Sequence, residues 1–72
     1  MKRNPYQVAV TENPSLPVRK WRHLGTFYSE SFLSAAYDAV RGHGVGRVIE
    51  TFAGGEGSVV YKFSSGLFCR VH

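Results

Sequence analysis

Residues 58–72 read Ser-Val-Val-Tyr-Lys-Phe-Ser-Ser-Gly-Leu-Phe-Cys-Arg-Val-His, which is two runs of strand-forming residues joined by a short polar segment. Val, Tyr and Phe are favoured in β-strands, and a Ser/Gly cluster between two such runs is typical of a hairpin turn. The stretch therefore predicts one strand over Ser58 to Phe63 and a last strand over Leu67 to His72.

The length of the turn between these strands decides which side chains share a face. A two-residue Ser65-Gly66 turn would put Lys62 beside Leu67 and Cys69, which mixes a charge into the apolar set. A three-residue turn over residues 64–66, with Gly66 in the left-handed bulge position, avoids this. We therefore predict the three-residue turn, which pairs Phe63 with Leu67, Tyr61 with Cys69 and Val59 with Val71.

This register divides the hairpin into two unlike faces. The first face is suited to packing under a helix and consists of Val59, Tyr61, Phe63, Leu67, Cys69 and Val71. The second face is basic with an aromatic residue in it and consists of Val60, Lys62, Phe68, Arg70 and His72.

One helix is predicted before the hairpin. Ser29-Glu30-Ser31 supplies N-cap candidates and an early acid. Phe32, Ala36 and Val40 recur every four residues and form an apolar stripe, which Leu33 and Ala39 flank. The glycines at 42, 44 and 46 end the helix, because glycine adopts the left-handed conformation that helix C-termini favour.

Three further strands complete the sequence prediction. They cover Tyr6 to Thr11, Lys20 to Tyr28, with Gly25 as a bulge or a close-approach site, and Arg47 to Ala53. Residues 1–5 are expected to be a flexible N-terminus, residues 12–18 a proline-containing loop, and residues 54–57 a hairpin connection. The order strand, strand, helix, strand, strand, strand predicts a single α+β domain, with an antiparallel sheet of about five strands and one helix packed on one face.

Length and charge restrict the class of protein. The 72 residues carry nine Lys and Arg against five Asp and Glu, for a net charge of +4. One cysteine cannot form an internal disulfide, and Cys69 is expected to be a small core residue in a reducing cytosol. Polar residues and Pro14 follow the basic N-terminus too soon for a signal peptide. These features exclude disulfide-framed secreted miniproteins, long coiled coils and two-domain enzymes.

Catalytic and metal-binding patterns are weak in this sequence. His23, His43 and His72 lack the short spacings of zinc sites, and the five acids form no motif with a nucleophile. The alternating glycines at 42–46 follow a helix, whereas phosphate-binding loops follow a strand and open a helix. We therefore expect neither an enzyme nor a bound metal or cofactor.

The basic pattern is the best candidate for a functional surface. Cations interleaved with aromatic residues can bind phosphates and stack on bases, and they can also bind an acidic protein surface. Sequence charge does not separate these two partners. The candidate partner-binding residues are Lys20, Arg22, Arg47, Lys62, Phe68 and Arg70.

The element order, together with Ile49-Glu50-Thr51, Tyr61-Lys62 and a turn at Gly66 before the final strand, resembles small phage-encoded anti-CRISPR proteins that inhibit type I surveillance complexes. The resemblance implies a non-enzymatic inhibitor that acts in the host cytoplasm, binds the backbone subunits of the Cascade complex and blocks target DNA binding. Of the family's basic binding surface, Lys62 is the residue that matches in the local motif. A chain of charge +4 cannot act as a DNA mimic, so its basic groups would have to meet an anionic partner.

Two other functions fit the same sequence. One is a small basic nucleic-acid-binding module that uses the cations on phosphates, with affinity that falls as salt rises. The other is a structural or toxin-antitoxin partner that dimerises through an open sheet edge, since a domain of this size is marginally stable alone.

Overall fold

The computed structural model describes Lys2 to His72, and in these residues five strands and one α-helix form a two-layer α+β fold. The elements are β1 (Asn4–Thr11), a 3-10 helix (Val18–Lys20), β2 (Arg22–Ser29), α1 (Phe32–Val40), β3 (Val48–Gly55), β4 (Ser58–Phe63) and β5 (Phe68–Val71). The strands form one antiparallel sheet in the order β2-β1-β5-β4-β3. The predicted fold class and order of elements are confirmed.

The turn between β4 and β5 has the predicted length. The Phe63 N–H donates to the Leu67 carbonyl at 2.8 Å, and the Gly66 N–H donates back to the Phe63 carbonyl at 2.9 Å. Tyr61 lies opposite Cys69, and Val59 lies opposite Val71, as the three-residue turn requires. Strand β5 is shorter than predicted by one residue at each end.

Helix α1 begins at the predicted cap. The Ser31 hydroxyl accepts a hydrogen bond from the Ser34 N–H at 3.1 Å. The buried stripe consists of Ala35, Ala36, Ala39 and Val40. Leu33 is 43% exposed, so its predicted place beside this stripe is wrong. The stripe follows the spacing i, i+3, i+4 from Phe32, and Leu33 lies at its margin, about 100° from Phe32 around the helix axis.

The core lies between α1 and the sheet face beneath it, here called the helix face. The largest fully buried side chains are Phe63, Val8, Val71 and Cys69. Phe63 and Cys69 are on the apolar face that the hairpin register predicts, and Val8 extends this face onto β1. Alternation along three adjacent strands therefore builds one continuous apolar layer under the helix.

Strand β2 contains a bulge beside Gly25, which is one of the two roles predicted for this residue. Val8 lies opposite Gly25, but the next residue, Ala9, lies opposite His23. Leu24 is therefore the extra residue, and both Leu24 and Phe27 pack against the core. Regular alternation would put these two side chains on opposite faces, and the bulge removes this conflict.

Several element boundaries differ from the sequence prediction. Strand β1 starts at Asn4, so it includes two residues of the predicted flexible N-terminus. Lys20 belongs to the 3-10 helix, not to β2. Strand β3 starts one residue later than predicted and continues to Gly55. Its connection to β4 therefore shortens to Glu56 and Gly57, both with positive φ, as a tight two-residue hairpin requires.

A Gly46→Ala variant is expected to lose about 2–3 kcal/mol of unfolding free energy, measured by urea denaturation, from the left-handed backbone and a displaced hydrogen bond together. Gly46 has a φ of +81°, and an added Cβ would overlap the Ser64 hydroxyl. That hydroxyl accepts a hydrogen bond from the Arg47 N–H at 3.3 Å, so its displacement also loosens the approach to β3.

Gly44→Ala is the matched control for this prediction. Gly44 also has a positive φ, of +64°, but nothing lies within 4 Å of an added Cβ. The Gly44→Ala variant should lose only the free energy that the left-handed backbone conformation costs alanine, about 1 kcal/mol. Equal losses in the two variants would contradict the role assigned to the contact with Ser64.

Candidate partner-binding surface

The sheet face opposite α1, here called the open face, carries the residues that the hairpin register predicts. Phe68 and Arg70 point to it from β5, because the alternate residues Cys69 and Val71 are buried in the core. Lys62 lies opposite Phe68 in the adjacent strand. The structure thus brings together three of the six predicted partner-binding residues, Lys62, Phe68 and Arg70.

The open face is not bare, because Trp21 packs on it. The indole is only 6% exposed and lines a cavity with residues of β3, β4 and β5. Its Nε1–H donates to the Leu16 carbonyl at 2.9 Å. One helix on one face would leave this face uncovered, but Trp21 covers part of it, because burying a large aromatic side chain is more favourable than leaving it exposed to water on a loop.

Two turns between β1 and β2 position Trp21 on the open face. The Asn13 side chain accepts a hydrogen bond from the Ser15 N–H at 3.2 Å, which bends the chain directly after β1. The 3-10 turn then follows Pro17, whose carbonyl accepts the Lys20 N–H at 2.8 Å. Local turn chemistry thus places Trp21 between the 3-10 helix and β2.

An apolar groove lies beside Trp21 on the open face. It has a volume of about 370 Å³ and is lined by Pro14, Trp21, Phe52, Val60 and Phe68. The rings of Phe52 and Phe68 are 6.3 Å apart between centroids and are tilted by 34°. Phe52 is 41% exposed, so the groove opens towards the outer strand β3. Such a groove can receive an apolar side chain of a partner.

Two cationic side chains flank this groove. The Lys62 Nζ lies 5.6 Å from the centroid of the Phe68 ring, within cation-π range. It also lies 3.8 Å from a carboxylate oxygen of Glu50, and the Lys62 side chain is 33% exposed. Arg70 lies opposite Val60 of the groove, and its buried Nε has no hydrogen-bond partner among residues 2–72. The groove therefore has an apolar floor and a basic rim that one carboxylate partly neutralises.

The other three predicted residues lie elsewhere. Arg22 lies opposite Val10, which belongs to the core, so its side chain lies on the helix face and lines a small cavity with His43. Lys20 is exposed on the 3-10 helix. Arg47 is exposed before β3, and its carbonyl accepts the Ser64 N–H at 2.8 Å. The predicted cations therefore do not form one continuous basic surface.

The nucleophilic side chains near the groove are held in the core beneath it. Cys69 is fully buried, and burial raises the pKa of its thiol to about 12. Burial also raises the pKa of Tyr61, and the neighbouring Cys69 adds to this effect. Both groups are therefore uncharged at neutral pH, and neither faces the groove. Across residues 2–72, no three His, Cys, Asp or Glu side chains cluster in a way that could hold a metal ion.

Sequence reasoning missed the apolar half of this surface. Pro14, Trp21 and Phe52 lie in three separate segments, and only folding brings them together. One signal was available: Trp21 is the single tryptophan of the chain and follows a loop with two prolines. A lone large aromatic residue after a rigid loop predicts a packing site, because its exposure to water would be costly.

Comparison with known proteins gives no relative. No protein-family model, curated protein or solved structure matches this chain. In the part of the chain that the structure describes, α1 has nine residues, and no helix has the length and hydrophobicity needed to cross a membrane.

Proposed function

We propose that this protein is a non-enzymatic binding protein that uses the open face of its sheet to bind an anionic surface of a partner protein. The apolar groove with Lys62 and Arg70 beside it carries the proposal. Aromatic and arginine side chains around an apolar groove are typical of the residues that dominate protein interfaces. The net charge of +4 favours an acidic partner.

A protein partner fits this geometry better than an extended phosphate backbone. Nucleic-acid surfaces gather cations along one face to neutralise successive phosphates. In this chain Arg22 lies on the helix face, and Glu50 lies 3.8 Å from Lys62 on the open face. The groove beside them is apolar and suits a side chain of a protein. A gel-shift titration with bare DNA and RNA is expected to show no strongly salt-dependent binding.

The specific partner that we propose is the Cascade complex of a type I CRISPR system in the host cytoplasm. The proposal rests on the resemblance in strand order and in the Tyr61-Lys62 segment to anti-CRISPR proteins. Bound to acidic residues of the backbone subunits, the domain would obstruct the path of target DNA. The net charge of +4 favours this steric mode over mimicry of DNA.

The wild-type protein is expected to co-elute with a purified type I Cascade complex on a sizing column and to reduce its binding of target DNA. A double variant, Lys62→Gln and Arg70→Gln, is expected to bind at least about tenfold more weakly. Glutamine removes each charge but avoids the repulsion that a glutamate at position 62 would have with Glu50.

The matched control is Lys2→Gln with Arg3→Gln, which removes the same charge from two exposed residues before β1. It should bind like the wild type. Failure of the wild type to co-elute with every type I complex tested would overturn the Cascade assignment. Equal loss of binding in both double variants would show that net charge matters and the open face does not.

A further inference from the structure

Strand β3 is an edge strand, and its middle residues are exposed to solvent. Every residue from Ile49 to Ala53 is exposed. Helix α1 packs over β1, β2, β4 and β5, and β3 lies at the end of the sheet beyond them. An exposed edge presents unpaired N–H and C=O groups, which another strand can use.

The hydrogen bond between Phe63 and Leu67 fixes which residues of β3 present these groups. Because the Phe63 N–H donates to β5, the backbone groups of Phe63 and Tyr61 face β5, and those of Lys62 and Val60 face β3. Their partners on β3 are Glu50 and Phe52, which therefore bond inwards. The N–H and C=O groups of Thr51 and Ala53 consequently point outwards along the free edge.

At both ends of β3, the backbone is not available for regular pairing with another strand. At its start, the Val48 N–H donates to the Tyr37 hydroxyl at 3.0 Å. Register shifts between Val48 and Glu50 and between Ala53 and Gly55 interrupt regular pairing on both sides. A regular stretch of four residues, 50–53, remains between them. It contains no proline or lysine, the residues that commonly guard edge strands.

We propose that two copies of this protein pair antiparallel through β3, with the two-fold axis beside Phe52, to form one continuous ten-stranded sheet. A two-fold axis in an antiparallel pair sets one residue opposite its own copy. With Phe52 at the axis, Thr51 of each copy lies opposite Ala53 of the other. Both are outward-bonding residues, so the pair forms four backbone hydrogen bonds within the regular stretch.

Side chains also favour this register. Phe52 of one copy lies opposite Phe52 of the other in a non-hydrogen-bonded pair, where side chains are closest and aromatic pairs stabilise. Glu50 lies opposite Gly54, so no like charges face each other. Centring the pair on Thr51 would instead set Glu50 opposite Phe52 and would recruit the irregular position 49.

Dimer formation would change the groove on the open face. Phe52 lines the groove and is 41% exposed at its outer side. In the dimer, the second copy's Phe52 covers this side, and the two grooves join across the axis into one apolar strip. The proposal does not depend on the identity of the partner, because it concerns the edge of the sheet and not the basic rim.

Sedimentation equilibrium over a range of protein concentrations tests the proposal. The wild type is expected to shift from 8.0 kDa towards twice that mass as concentration rises. A Phe52→Arg variant should dissociate at least about tenfold more readily, because two cations would meet at the axis. Tyr28→Arg is the matched control, since Tyr28 is 65% exposed on the opposite edge strand β2, and it should dimerise like the wild type.

A Thr51→Pro variant gives a second, independent test. Proline removes an N–H that points outwards, so pairing between β3 and β4 keeps its hydrogen bonds while the dimer loses two. Circular dichroism should report a folded chain, and sedimentation should report a monomer. A wild type that stays monomeric at millimolar concentration would overturn the proposal, and so would a Phe52→Arg variant that dimerises like the wild type.

Discussion

A Phe63→Ala variant is expected to lose about 3–5 kcal/mol of its unfolding free energy. Phe63 is 0% exposed and is the largest fully buried side chain in the core. Its ring forms a T-shaped pair with Tyr37 at a centroid distance of 5.5 Å and an angle of 88°. A domain of 72 residues has a total stability of about 4–11 kcal/mol, so this loss removes a large share of it. Urea denaturation followed by circular dichroism measures the change.

Phe52→Ala is the control for this prediction, because it removes the same atoms from a ring that is 41% exposed. It should cost less than about 1.5 kcal/mol at concentrations where the protein is monomeric. If both variants lost the same free energy, the assignment of Phe63 to the centre of the core would be wrong.

The Cys69 thiol is expected to react about a thousandfold more slowly with iodoacetamide in the folded protein than in the unfolded chain at neutral pH. Burial raises the pKa of this thiol from 9.0 to about 12, and the thiolate is the reactive form. Three pKa units change the thiolate fraction by a factor of about a thousand. Mass spectrometry of alkylated protein, with and without denaturant, measures the ratio. Similar rates in both conditions would contradict the burial of Cys69.

The same shift predicts loss of stability in alkali. The pKa of Cys69 is higher in the folded state than in the unfolded state, so folding favours the neutral thiol. Its contribution is complete below pH 9 and is lost as the pH rises towards 12. A Cys69→Ala variant should show a smaller loss of stability across this range. Some loss should remain, because burial also raises the pKa of Tyr61.

The helix was predictable because its signals are close together in the chain. Ser31 provides the cap, and the apolar spacing from Phe32 to Val40 defines the buried side. Leu33 was misplaced because a four-residue spacing does not define how wide the buried stripe is. The neighbouring strands define its width, since α1 buries only what reaches the sheet.

The candidate site was only half predictable. The turn at Gly66 identified Lys62, Phe68 and Arg70 as one face of a hairpin, and these three residues do lie together on the open face. Arg22 could not be assigned in the same way, because its face depends on pairing with Val10, a contact across a loop of ten residues. Charge in a sequence does not carry information about such pairings.

The sequence by itself determined the α+β class, the helix and the register of the last hairpin. The turn length and the alternation of side chains along each strand are read from the hairpin itself, and they set which of its side chains share a face. The tertiary structure alone decided the strand order and the position of Trp21 on the open face. The apolar surface that buries Trp21 comes from Phe52, Val60 and Phe68, which lie more than thirty residues later in the chain. The net charge of +4 does not show where the charges lie. Long-range packing, not local pattern, sets which side chains meet, and it places part of this charge in a basic rim beside an apolar groove.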